Sequence, residues 1–216
     1  MANHVYFNVD FQGVSEELWN KSFLSEPVTR KAYDDSEYTV HELKELHEQP
    51  FFNHIPKEYE DDGWLKDSWN FYVNNIGAKW CNVESWEHSY LSGYSAWSAP
   101  IALVENMVKY FQEHSVEAIT ARMTYEDEFR NFIGVHEWWT DTVDDEIVVY
   151  DDENYVDCED FQDLLNKKLS EATGQDIDVS EIEMDEELPT LSGGFVVPQE
   201  MADDMVYSFW EDGELK

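Results

Sequence analysis

YSAWSAPIALVENMVKYFQEHSVEAITARMTY, residues 94–125, is the stretch on which the fold turns. Tyr94 to Trp97 reads as a short strand. Ser98-Ala99-Pro100 then starts a helix, with Ser98 placed as an N-cap and Pro100 suited to the first turn. Ile101, Val104, Val108 and Phe111 recur at helical spacing, which predicts a helix over 100–114. Val116 to Tyr125 returns to an extended pattern. A strand, a helix laid on it and a second strand are the unit from which an α+β sheet is built.

Reading outward extends the unit in both directions. Upstream, Val5, Phe7, Val9 and Phe11 alternate with Tyr6, Asn8 and Asp10, giving a half-buried strand over His4 to Gln12. After Gly13, Ser15 to Leu24 reads as a short helix carrying Leu18, Trp19 and Phe23. Residues 25–62, punctuated by Pro27, Pro50 and Pro56, read as an insertion, with one short helix over Val40 to His47. A helix from Asp62-Gly63-Trp64 to about Asn74 follows, ended by Asn75-Ile76-Gly77 with the glycine as left-handed cap. Lys79 to Glu87 is the next strand. Downstream, Phe132 to Trp139 and Glu146 to Tyr150 are strands. The series suits an antiparallel sheet covered by helices on one face. From there the character changes: Asp157 to Ala172 is helical with Phe161, Leu164, Leu165 and Leu169 on one stripe, Gly174 stops it, and Pro198 to Trp210 forms a final amphipathic helix. The expected organisation is an α+β domain over 1–153, expected to fold by itself, and an acidic, partly helical extension over 154–216.

Charge bounds the function. Of 216 residues, 49 are acidic and 13 basic, a net −36, and residues 141–216 hold 25 of those acids against Lys167, Lys168 and Lys216. Solubility needs only a net charge of about 2–8 in a small domain, and self-repulsion beyond that costs stability. Such a field repels phosphate, so direct binding to nucleic acid or to an anionic membrane is excluded and a basic protein partner is expected. A salt-adapted housekeeping protein is the alternative source of such acidity. No apolar run reaches 18 residues, and Met1-Ala2-Asn3-His4 enters a strand without a basic and then apolar leader, so a cytoplasmic place is expected. Cys81 and Cys158 form no CxxC pair and are expected as reduced thiols.

No chemistry stands out among the remaining residues. The seven histidines form no HExxH and no pair at metal spacing. Asp176, Asp178, Ser180 and Glu187 imitate a calcium loop, but Glu181 occupies the position that needs glycine. No phosphate loop, nucleophile elbow or Cys–His pairing appears, so neither enzyme activity nor a cofactor is expected. Trp64, Trp69, Trp80, Trp86 and Trp97 lie among acids and read as core, and Lys79 reads as a partner for a carboxylate.

Four segments resemble the YubB-like, ferredoxin-like domains of phages and plasmids: Met1-Ala2-Asn3-His4 before a strand, Phe52-Asn53-His54-Ile55-Pro56, Tyr72-Val73-Asn74-Asn75-Ile76-Gly77-Ala78-Lys79-Trp80, and Ala96-Trp97-Ser98-Ala99-Pro100 followed by a helix, a strand and Thr124-Tyr125-Glu126. The similarity covers residues 1–150 and departs from the family pattern at Ile76 and Ala99. It implies a ferredoxin-like sheet and a mobile-element origin. Joined to the charge, it leads to an expected counter-defence protein that inhibits a host restriction, CRISPR or toxin-type enzyme by acidic mimicry of DNA. The partner-binding residues are then the paired acids Asp144, Asp145, Asp151, Asp152, Glu153, Glu159, Asp160, Asp203 and Asp204. The alternative is an adaptor or inhibitor using apolar contacts, with hot spots such as Phe209 or Trp210.

Overall fold

The computed structural model describes residues 3–23, 28–31, 37–40, 66–143 and 146–214. The chain is α+β. Its elements are β1 (His4–Gln12), α1 (Glu16–Phe23), β2 (Val28–Lys31), β3 (Glu37–Val40), α2 (Ser68–Asn75), β4 (Cys81–Glu87), β5 (Tyr90–Ala96), α3 (Ile101–Glu113), β6 (Thr120–Asp127), β7 (Phe132–Val143), β8 (Glu146–Asp157), α4 (Cys158–Thr173), β9 (Leu188–Pro189), β10 (Phe195–Val196) and α5 (Pro198–Asp212). Six strands form one antiparallel sheet in the order β4-β5-β1-β6-β7-β8, and β2 with β3 and β9 with β10 form two small hairpin sheets. The Phe52–Pro56 segment, the helix expected over Val40 to His47 and the helix opening at Asp62–Trp64 lie outside the described residues.

The chain divides into two compact units, residues 1–123 with 136–152 and residues 124–135 with 153–216. In the first, the alternation of β1 sets the core: Val5, Phe7, Val9 and Phe11 are buried while Tyr6, Asp10 and Gln12 are exposed. Phe11 meets Trp19 of α1 and Phe111 of α3 at ring distances of 5.5 and 5.6 Å, and Trp19 stacks on Phe111 at 5.8 Å. These contacts seat both helices on the apolar face of β1. At the crossing of β5 with β4, a Cβ on Gly93 would stand 2.0 Å from the Asn82 carbonyl oxygen, so only glycine lets the two strands approach.

Three local expectations are corrected here. Ser98 does not cap α3, whose N-cap is Pro100 with no side-chain bond; its hydroxyl donates instead to the Gly77 carbonyl at 2.7 Å. Trp69 and Trp97 are not core but half exposed, because α2 buries none of its residues and Trp97 follows β5 at φ 72°. Among the described residues Lys79 meets no carboxylate: its ammonium sits 4.4 Å from the Trp97 ring centre and 5.9 Å from that of Trp69. Cys81 and Cys158 are free thiols, and burial pushes that of Cys81 up.

The second unit has its own core. Ile133 and Val135 of β7, Phe161, Leu165 and Leu169 of α4, Leu188, and Ala202, Met205, Val206 and Phe209 of α5 pack together. Helix α4 is bounded by local chemistry at both ends. The Asp157 carboxylate accepts the Glu159 and Asp160 N–H groups at 3.0 Å each, and Gly174 takes the left-handed conformation at φ 70°. Among the described residues, no helix is long and apolar enough to cross a membrane.

Candidate functional site

The paired acids fall into two kinds. Asp152, Glu159, Asp160 and Asp204 are exposed, and their carboxylates meet no cation among the described residues. Glu159 and Asp160 stand in the first turn of α4, where the partial positive charge of the helix N-terminus favours them. Asp151, Glu153 and Asp203 instead serve the fold. Asp151 Oδ2 lies 3.0 Å from His136 Nε2, and the buried His136 ring stacks on Trp138 at 4.0 Å. Glu153 accepts from the Tyr125 hydroxyl; burial, and then this bond, hold that phenol above its usual range. Asp203 pairs with Arg130 and accepts from Gln199 at 2.9 Å. Asp144 and Asp145 lie outside the described residues.

Around Arg130 the second unit builds a cluster that sequence reading misses. Asp127, almost fully buried, accepts from the Phe129 N–H at 3.0 Å and the Asn131 amide at 2.5 Å, closing the turn from β6 to β7. Arg130, held there at φ 53°, reaches Asp203 on α5 and lies 3.7 Å from Glu126 Oε2. That oxygen is buried without a hydrogen bond. Burial raises the Glu126 carboxyl above the usual carboxylate range against the pull of Arg130, and Asp203 adds to the rise. Arg130 and Asp203 are 73 residues apart, so no local pattern joins them.

The first unit offers two surface features. A groove of about 640 Å³ opens on the strand face opposite the Phe11 core, lined by Asp10, Gln12, His88, Tyr90, Arg122 and Trp139 among others. Arg122 is committed to Glu137 at 2.9 Å, and His88 Nε2 lies 3.0 Å from the Val14 carbonyl. Elsewhere Trp69, Lys79 and Trp97 form the exposed cation–aromatic group described above. Among the described residues, no three or more His, Cys, Asp and Glu side chains are grouped to hold a metal ion. In the imitation of a calcium loop, Asp178 instead accepts from the Ser180 N–H and hydroxyl at 2.9 and 2.7 Å, capping a short 3-10 turn over Val179–Glu181.

The charge follows the division of the chain. The second unit holds 22 acids and 4 bases, a net −18 in 76 residues, whereas the first holds the other 27 acids and 9 bases, a net −18 in 140. The second is thus almost twice as acidic per residue. The chain matches no family model, no curated protein and no solved structure.

Proposed function

We propose that the protein binds a basic surface of another protein through the carboxylates of its second unit, in place of nucleic acid, and so inhibits a nucleic-acid-handling defence factor. The observation that carries this reading is the charge of that unit. Its arginine is already taken by its own acids, while Glu159, Asp160 and Asp204 stay exposed and meet no cation among the described residues. The α4 N-terminus offsets Glu159 and Asp160 only in part, and a basic partner supplies the rest. A mobile-element origin and membership of the YubB-like group belong to the same proposal. So does a ferredoxin-like reading of the sheet: the order β4-β5-β1-β6, with α1 and α3 on the β1 face, is compatible with the β-α-β-β-α-β pattern.

The test uses the full chain and the target it captures from host cells. Changing Glu159, Asp160 and Asp204 to Asn or Gln leaves Glu153 and Asp203 with their internal partners. Affinity is expected to fall by about 0.6–3 kcal/mol, at roughly 0.2–1 kcal/mol for each exposed pair. Duplex DNA is expected to compete, and binding to weaken steeply between about 50 and 200 mM salt. Unchanged affinity in the neutralised chain rejects the proposal.

A second reading, recognition through apolar contacts, draws on the half-exposed Trp69 and Trp97 with Lys79 between them. Phe209 leaves that reading, because it is buried in the second core. Trp97→Ala removing most of the affinity, with a shallow salt response, distinguishes it from mimicry.

A further inference from the structure

Strand β8 is last in the sheet order, so one side of its backbone has no ladder among the described residues. It runs for twelve residues, whereas strands typically have about five or six. Among the described residues, no backbone hydrogen bond outside helices and strands reaches Glu146–Asp152, the part of β8 within the first unit. A long unpaired edge is a template for another strand. We infer that the edge of β8 over Glu146–Asp152 takes an extended, basic segment of a partner protein as an added strand, an inference that rests on the basic-partner reading above.

The side chains specify the occupant. Because alternate residues share a face, Val148 and Tyr150 stand between Glu146 and Asp152 on one side, and Ile147 and Val149 precede Asp151 on the other. Tyr150 is braced by the Trp139 ring, stacked at 5.9 Å and 16°. The edge therefore offers a short apolar centre flanked by carboxylates, and no cation lies between Glu146 and Asp152. A second copy of the chain is a poor occupant. Antiparallel self-pairing over Glu146–Asp152 sets Glu146 against Asp152 at both ends, on molecules that each carry −36. A segment with β-branched residues at its centre and Lys or Arg at its ends meets both features. Main-chain bonds then supply affinity and the flanking charges supply selection.

The test is fluorescence anisotropy on the full chain, with the labelled peptide Lys-Lys-Val-Thr-Val-Thr-Val-Lys-Lys. Two relatives carry N-methyl groups on alternate amides in opposite phases, and one has every Lys replaced by Glu. Only one phase of amides faces β8, so one methylated peptide is expected to bind at least ~10-fold more weakly and the other to bind like the parent. Tyr150→Lys is expected to weaken the parent peptide, while Ser85→Lys on the opposite edge strand leaves it unchanged. Equal binding of both methylated peptides overturns strand addition and leaves the basic-partner reading standing. Equal binding of the Glu peptide overturns the selection for basic segments, and the basic-partner reading with it. Failure of the parent peptide to bind overturns the inference, as does a dimer in sedimentation that the peptide dissociates, which assigns the edge to a second copy.

Discussion

Helix α3 in the first unit and helix α4 in the second are held by different means. In the first, α3 begins without a capping side chain and without an acid in its first turn. It is held by Leu103, Val104, Met107, Val108 and Phe111 buried beside Phe11 and Trp19. In the second, α4 is capped by Asp157 and closed by Gly174, with Glu159 and Asp160 in its first turn. Its outer face stays wet: Gln162, Asp163 and Lys167 are exposed. A large aromatic core can seat a helix whose local signals are weak, and local caps can fix a helix that lies in a dense field of carboxylates. The charge is also placed with discrimination. Acids at a helix N-terminus oppose the field of the other acids with a favourable dipole, worth about 0.3–1 kcal/mol each at low ionic strength.

The largest break in this comparison comes from the cores. Phe111→Ala and Phe209→Ala each remove a buried ring, at a cost of about 3–5 kcal/mol. With two compact units, urea unfolding followed by tryptophan fluorescence and by far-ultraviolet dichroism is expected to show two transitions. Phe209→Ala is expected to move one and Phe111→Ala the other. A single transition shifted equally by both changes makes the units one cooperative body and removes the basis of the comparison.

The same contrast governs what the sequence discloses. Alternation in β1 and the apolar stripe of α3 mark both elements closely: the reading 100–114 meets a helix at Ile101–Glu113. Asp157 and Gly174 mark α4 within one residue of its ends, because cap chemistry is local. Contacts distant in sequence leave no such trace. Ser98 has the form of a cap, yet its hydroxyl is drawn to Gly77, 21 residues away. Strand β8 continues seven residues past Tyr150 through Asp151, Asp152 and Glu153, where acid content argues against a strand; charge is tolerated there because β8 is an edge. Among the candidate acids, exposure of Glu159 and Asp160 follows from their place on the polar side of α4. That Asp151, Glu153 and Asp203 have internal partners follows only from the positions of His136, Tyr125 and Arg130. Ile133 and Val135 likewise pack with α4 and α5, so a chain ended at Glu153 exposes both.

A smaller effect sharpens the role of caps. Asp157→Ala removes the acceptor of two N–H groups and is expected to cost about 1 kcal/mol, with Asp157→Asn recovering most of it. The loss is expected in the transition that Phe209→Ala moves and not in the other. A loss shared by both transitions breaks the assignment of α4 to a unit held by its own local chemistry.

The smallest effect tests whether buried charge in the second unit is a burden. Glu126 has its carboxyl raised mainly by burial, so ionising it opposes folding. A raised pKa means that the folded state holds this proton more tightly than the unfolded state. Its stabilising contribution is complete below the unfolded carboxylate range and is lost as pH rises through the folded value. Glu126→Gln keeps the shape and removes the ionisation. The variant is therefore expected to be more stable than the parent chain at pH 7 by up to about 1 kcal/mol, since Arg130 offsets part of the burden. The difference is expected to shrink as pH falls toward 4, where the parent carboxyl takes up its proton. Melting curves of both chains across that range decide the matter. A gain that stays constant with pH shows that packing separates the two chains, and a loss at pH 7 shows that the pair with Arg130 outweighs burial.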